Sequence, residues 1–409
     1  MMQGWKEYSL GDVLKKIVGG GTPSKSKPEY WDGDIYWCTV KDMKDGKFRL
    51  FETQDKITEI GLKNSSSNLI KSGTVITSTR MGLGRAFINY SDMAINQDLK
   101  ALIPNEKIDN QFLLWTLNSL KDEIDGLGSG STVKGIRLET LRAIKINLPT
   151  LPIQRKIASI LSAYDDLIEN NLKRIKLLEE MAQKTYEEWF VKFRIDGEQL
   201  PINKETGLPV CWEQRKLGYL CSKITDGTHD TPKQTEDGIK LITGKHILNG
   251  FIDFESAYTI SESDHLAIKK RSGLEKGDIL FSNIGTLGNI AFVNQDFEFS
   301  CKNVFIFKQK KGYTNFLYTY LSSENIKQKL SNQSSGVAQK FYSLKFIRDL
   351  TDYLPTDDLI IKFDNYISPI YKLKYKLDNQ NQKLKEARDI LLPRLMTGMI
   401  DVEKMEIKA

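Results

Sequence analysis

The sequence predicts an α+β protein in which two mixed α/β domains are separated by two long helices. Three observations lead there: the chain is written twice, each copy opens with short strand-like segments, and each copy closes on a long heptad pattern. At 409 residues it is long enough for two or three domains with their own cores. With 40% hydrophobic and 27% charged residues it has an ordinary globular composition rather than a disordered or fibrous one.

Trp5, Leu10, Gly11, Lys16, Ile17 and Gly20 return as Trp212, Leu217, Gly218, Lys223, Ile224 and Gly227. Further on, Ile35, Thr39, Lys41, Gly46 and Gly73 return as Ile239, Thr243, Lys245, Gly250 and Gly277, so the register survives small insertions. Leu138 and Leu148-Pro149-Thr150 match Leu344 and Leu354-Pro355-Thr356. Two copies imply an approximate two-fold repeat within one chain, the symmetry that a bipartite duplex target asks of its reader. A duplication without functional meaning is the bland alternative.

Within the copies, residues 73–78, 86–88, 277–282 and 303–307 read as short strands. A helix follows in each, near residues 110–120 and 313–330. After Pro149 and Pro152, which suit a helix start, neither Pro nor Gly appears until Gly197. That allows a helix of about 40 residues, ~60 Å long. Its stripe carries Ile157, Tyr164, Asn171 and Leu178, with Leu161, Ile168 and Ile175 beside them; the second copy offers Phe363, Ile370, Leu377, Leu384 and Leu391. This heptad recurrence is a coiled-coil signature, and two such helices in one chain can pair with each other. Tyr366, Leu373, Gln380 and Ala387 flank the second row. Asn171 and Gln380 interrupt the middles of the two seams, where a polar residue either fixes register or points to solvent. The boundaries expected are 1–147 for the first domain, 148–195 for the first long helix, 196–209 for a turn-rich linker, 210–354 for the second domain, and 355–409 for the second helix with its tail.

No constellation of catalytic residues emerges. The run of residues 19–26 lacks the spacing of a phosphate-binding loop. Neither a nucleophile elbow nor a zinc-protease helix is present, and His229, His246 and His265 have no local base pattern. Cys38, Cys211, Cys221 and Cys301 are scattered and read as buried free thiols, so no metal site is expected. The first residues lack a cationic stretch followed by an apolar one, and no long apolar run exists, which predicts a cytoplasmic protein away from membranes.

Binding chemistry remains. A charge of +6 permits contact with phosphate without dictating it. Both domains interleave basic and amide side chains with Gly, Ser and Thr, the mixture that brings loops close to a nucleic-acid backbone and side chains to base edges. The candidates are Thr22, Lys25, Lys27, Lys41, Thr79, Arg80, Arg85, Lys134 and Arg137 in the first copy. In the second they are Thr228, His229, Thr231, Lys233, Lys245, His246, Asn283, Gln339 and Lys340.

The stretch LPTLPIQRKIASIL at residues 148–161 resembles the central conserved region of type I restriction-modification specificity subunits. So do DDLIENN at 165–171, LLE at 177–179, WFVKFR at 189–194 and LLPRLMTG at 391–398. The resemblance implies two target recognition domains held apart by an antiparallel coiled coil, each reading one half of a split double-stranded DNA site. It implies a chain that is not itself an enzyme, on which two methyltransferase subunits dock and which motor-nuclease restriction subunits join. S-adenosylmethionine, ATP and Mg are then cofactors of those partners and not of this chain. The loop DGTHDTP at 226–232 is similar to a common loop of the family, whereas the first copy offers GGTP at 20–23 without the acid or the His. A two-lobed coiled-coil adaptor binding proteins, without DNA specificity, is the alternative from another class.

Overall fold

A computed structural model describes residues 4–130, 134–248, 250–284, 287–332 and 341–403. The chain divides into two compact units: Met1–Asn171 with Asn379–Ala409, and Leu172–Asp378. Each unit therefore holds one strand-rich domain and half of each long helix.

In the first unit a five-stranded sheet orders Leu14–Gly19, Leu99–Pro104, Val75–Ser78, Ala86–Asn89 and Arg49–Leu50. A four-stranded sheet orders Asp55–Ile57, Trp31–Cys38, Met93–Ile95 and Asn68–Ile70. Val75, Ile88, Leu102, Phe112 and Trp115 form a core that continues into Ile157 and Leu161 of the long helix. Asp109 caps the helix Asn110–Ser119 by accepting from the backbone of Gln111 and Phe112. The terminal strand Lys6–Ser9 pairs antiparallel with Lys145–Leu148, which closes the domain just before the long helix begins.

The second unit repeats this plan. Cys221–Asp226, Val304–Gln309, Ile279–Ser282 and Ile290–Phe292 make one sheet, and Thr259–Ile260, Ile239–Thr243 and Ser300–Lys302 another. Glu213–Lys216 pairs with Thr351–Leu354 as the closing ribbon. A parallel strand pair recurs in both domains, with Cys38 beside Ile95 and Ile242 beside Cys301. The single helix expected near 313–330 is instead two, Thr314–Ser322 and Glu324–Asn332. Ser323 between them is extended (ψ 144°), and its hydroxyl bonds back to the Tyr320 carbonyl.

Both long helices run for 40 residues, Leu151–Phe190 and Asp357–Met396. In the first unit Asp165 meets Arg388 (2.6 Å) and Asn171 meets Asn381 (2.9 Å). In the second, Glu179 meets Lys374 (3.2 Å) and the Trp189 ring lies 5.5 Å from that of Phe363. Numbers rise along one helix as they fall along the other, so the pairing within each unit is antiparallel. The row of Phe363, Ile370, Leu377, Leu384 and Leu391 faces inward, its first three members buried and its last two half-buried. Its expected flank does not: Tyr366, Leu373 and Gln380 are exposed, and Ile367, Lys374, Asn381 and Arg388 are buried in their place. Three polar residues on that row hid it from an apolar pattern; Asn171 is buried in the seam against Asn381, whereas Gln380 points to solvent. Pro369 interrupts the hydrogen-bond ladder on the exposed face, where water can satisfy the freed carbonyl.

Candidate nucleic-acid interface

The two copies build the same loop framework at the same end of their parallel strands. The glycine-rich run of the first copy is explained by close approach rather than by phosphate: a Cβ on Gly20 would stand 1.9 Å from the Ile95 carbonyl oxygen. Gly227 meets the same obstacle, 2.1 Å from the Cys301 carbonyl oxygen. One residue on, the Gly21 N–H donates to Ile95 O (3.0 Å) and the Thr228 N–H to Cys301 O (2.9 Å). A second loop arrives from the neighbouring sheet, where Thr79 O accepts from Ile136 N–H and Asn283 O from Tyr342 N–H. Bridges Arg80–Gly135 and Ile284–Phe341 complete the match.

Different side chains stand on this common backbone. In the first domain Thr22 Oγ1 donates to Gln97 Oε1 (2.6 Å), and Arg80 approaches Asp98 (3.6 Å). Asn96 Nδ2 also donates to Asp98 (3.1 Å), and the Thr79 hydroxyl is turned inward to the Asp98 carbonyl (2.9 Å). In the second domain His229 takes the place of Thr22: its Nδ1 lies 3.0 Å from Asn303 Oδ1 and its Nε2 2.9 Å from Asp226 Oδ2. Arg271 holds the other Asp226 oxygen (3.0 Å), and Lys302 donates to the Thr231 hydroxyl. Asn303 is left-handed (φ 51°), a conformation Asn tolerates better than most residues.

The structure thus brings together Thr22, Thr79 and Arg80, with Lys134 joined through its carbonyl to the Met81 N–H (3.3 Å). It brings together Thr228, His229 and Thr231 in the same way. Lys25 and Lys27 are exposed on the loop that follows Thr22, where Tyr30 accepts a hydrogen bond from Lys27 and raises its pKa. Lys25, Lys41, Arg137, Lys233 and Lys245 are exposed, with no carboxylate within ion-pair distance among the described residues. Arg85 is drawn off to Asp45 (2.7 Å) and Lys134 to Asp125 (2.6 Å). Burial raises the Asp45 pKa, but Lys121 and Arg85 outweigh it and hold that carboxyl below its ordinary value.

His246 and Asn283 are buried framework groups. The Thr243 N–H donates to His246 Nδ1 (2.9 Å), and burial, then Lys245, lowers that imidazole's pKa. Gln339 and Lys340 lie outside the described residues. Cys38, Cys221 and Cys301 are buried thiols, whereas Cys211 is exposed in the turn before the closing ribbon. Among the described residues no group of three His, Cys, Asp or Glu side chains is placed to hold a metal ion, and no helix is long and apolar enough to cross a membrane.

Gln97, Asp98, Arg271, Lys302 and Asn303 carry no motif that marks them in the sequence, and Asp226 stands out only as the acid of the DGTHDTP loop. Extending the repeat would have aligned Gln97 with Asn303, 206 positions apart, at the register already shared by Leu138 and Leu344.

A duplicated mixed domain with a loop cluster at one end, each copy packed on its share of an antiparallel helix pair, defines a class of two-domain recognition scaffold. The profile of one family, described as Type I restriction modification DNA specificity domain, matches residues 2–180 and 209–363. The chain belongs to that family. It is 26% identical over 414 residues to the type I restriction enzyme MjaIX specificity subunit of Methanocaldococcus jannaschii, covering 98% of this chain and 94% of that one. It is 21% identical over 475 residues to the HindI specificity subunit of Haemophilus influenzae, covering 98% and 100%. The crystal structure of a type I system S subunit from M. genitalium shares the fold, with TM-score 0.54, 17% identity and 96% of each chain covered. The chain is a type I restriction-modification specificity subunit, which assigns it to DNA target recognition.

Proposed function

We propose that each domain reads one half of a bipartite duplex site through its loop cluster, while the long helices space the domains and carry the methyltransferase subunits. The observation that carries this reading is the shared loop backbone with unlike side chains. Thr22, Gln97 and Arg80 stand where His229, Asn303 and Ile284 stand in the second copy. Two readers of unlike half-sites need a common platform and divergent contacts. Lys25, Lys27, Lys41, Arg137, Lys233 and Lys245 are the exposed cations for phosphate.

The chain is non-catalytic in this reading. S-adenosylmethionine binds the methyltransferase subunits, and ATP and Mg the motor-nuclease subunits, with the whole assembly in the cytoplasm beside its DNA. Leu177, Met181 and Tyr366, 64%, 51% and 56% exposed around Trp189, form an apolar patch rimmed by Glu180, Lys184 and Glu188, suited to a docked methyltransferase subunit. The test is duplex binding by the native complex, purified through a tag on this chain, over a range of salt. Sequence-selective binding whose log K falls linearly with log salt is expected, by ~0.9 per phosphate contact. Salt-insensitive association without DNA preference would favour a protein-binding adaptor instead.

A further inference from the structure

We propose that Gln97 and Asn303 are equivalent base-reading residues, each presenting its carboxamide to the major-groove edge of an adenine in its own half-site. The inference rests on the DNA-reading role above and adds the residues and the base.

Both amides occupy the turn that leaves the strand in parallel pairing, Met93–Ile95 in one domain and Ser300–Lys302 in the other. Gln97 is exposed and Asn303 half-exposed, beside the loop that begins at Gly20 or Gly227. In both, a side chain from that loop meets the amide: Thr22 Oγ1 donates to Gln97 Oε1 at 2.6 Å, and His229 Nδ1 stands 3.0 Å from the Asn303 carboxamide. These restraints are themselves braced. Asp226, fixed by Arg271 (3.0 Å), holds the far nitrogen of His229 (2.9 Å). Gln97 Nε2 gives one hydrogen to Asp98 Oδ2 in a long contact (3.5 Å) and keeps the other free, and Asn303 Nδ2 makes no hydrogen bond of its own among the described residues. Each carboxamide oxygen keeps a second lone pair. An oriented amide with a free donor and a free acceptor side by side matches adenine, whose N7 accepts and whose N6 amino group donates. Preorganisation of this kind lowers the cost of ordering the side chain on binding.

The experiment is selection of duplexes from a random-sequence library by the native complex carrying wild-type chain, Gln97→Ala, Gln97→Glu or Asn303→Ala. Gln97→Ala is expected to reduce discrimination at one A·T pair of one half by about ten- to a hundredfold, with the other half and the salt-dependent background binding unchanged. Asn303→Ala should do the same in the opposite half. Gln97→Glu, close to isosteric and therefore a check on folding, replaces a donor by an acceptor and should move the preferred base at that position from adenine towards cytosine. Variants that select the wild-type motif at full discrimination overturn the proposal while leaving the recognition role standing. A wild-type complex with no sequence preference overturns both.

Discussion

At position 246 a buried imidazole takes the place that a carboxylate holds at position 42. The Thr39 N–H donates to Asp42 Oδ2 (2.8 Å) in the first domain, and the Thr243 N–H to His246 Nδ1 (2.9 Å) in the second. The turn is the same and its titration is not. Burial lowers the folded pKa of His246 below the ordinary value of 6.5. The unfolded chain therefore takes up a proton first as pH falls, so this contribution to stability is complete above that value and is lost on acidification through it. Wild-type protein should lose more thermal stability between about pH 7.5 and about pH 5.5 than His246→Asn, which keeps an acceptor but does not titrate. Equal losses, measured by differential scanning calorimetry, would remove the charge on His246 as the cause. The candidate site was half legible at this scale. Exposed cations such as Lys25 and Lys245 announce themselves by type, whereas Gln97 and Asn303 are single polar residues in turns, where no periodicity marks which side chain faces outward.

The elements were more legible, because a sustained heptad stripe on a helix of 40 residues leaves few alternatives to a paired helix. What stayed hidden was the polar half of the seam. Arg388 and Lys374 are each 1% exposed. Arg388 pairs with Asp165 (2.6 Å), lies over the Phe48 ring (4.5 Å) and approaches the Gly46 turn. Lys374 pairs with Glu179 (3.2 Å) and donates to the Gly250 carbonyl (2.9 Å). Gly46 and Gly250 are repeat equivalents, so in each unit a buried cation of the second helix lies beside the same turn of its recognition domain, and in the second unit it also bonds to that turn. A Cβ on Gly250 would stand 2.8 Å from the Lys374 ammonium nitrogen. Burial raises the Asp165 pKa against the pull of Arg388, so the carboxylate depends on its partner. Arg388→Met alone should cost about 3–5 kcal/mol in guanidinium unfolding, by leaving Asp165 buried and unpaired. Adding Asp165→Leu should recover most of that loss. A double variant as unstable as the single one would show that packing around Arg388, rather than the stranded charge, sets the cost.

For the whole molecule, the duplication in the sequence carries over into two units with the same plan of paired sheets and the same loop framework, differing by single strands at the sheet edges. It was readable because glycines forced by close backbone approach, Gly20 and Gly227, recur at fixed places. The break at Ser323 was not, since a serine is compatible with either a continuous helix or a new start. Independence of the two readers is what this arrangement requires. Its most direct test replaces residues 1–147 with the corresponding segment of another family member and determines the duplex motif selected by the native complex. One half of the motif is expected to change to that of the donor while the other half is retained base for base. A chimera that binds selectively with both halves altered, or with neither altered, would contradict it.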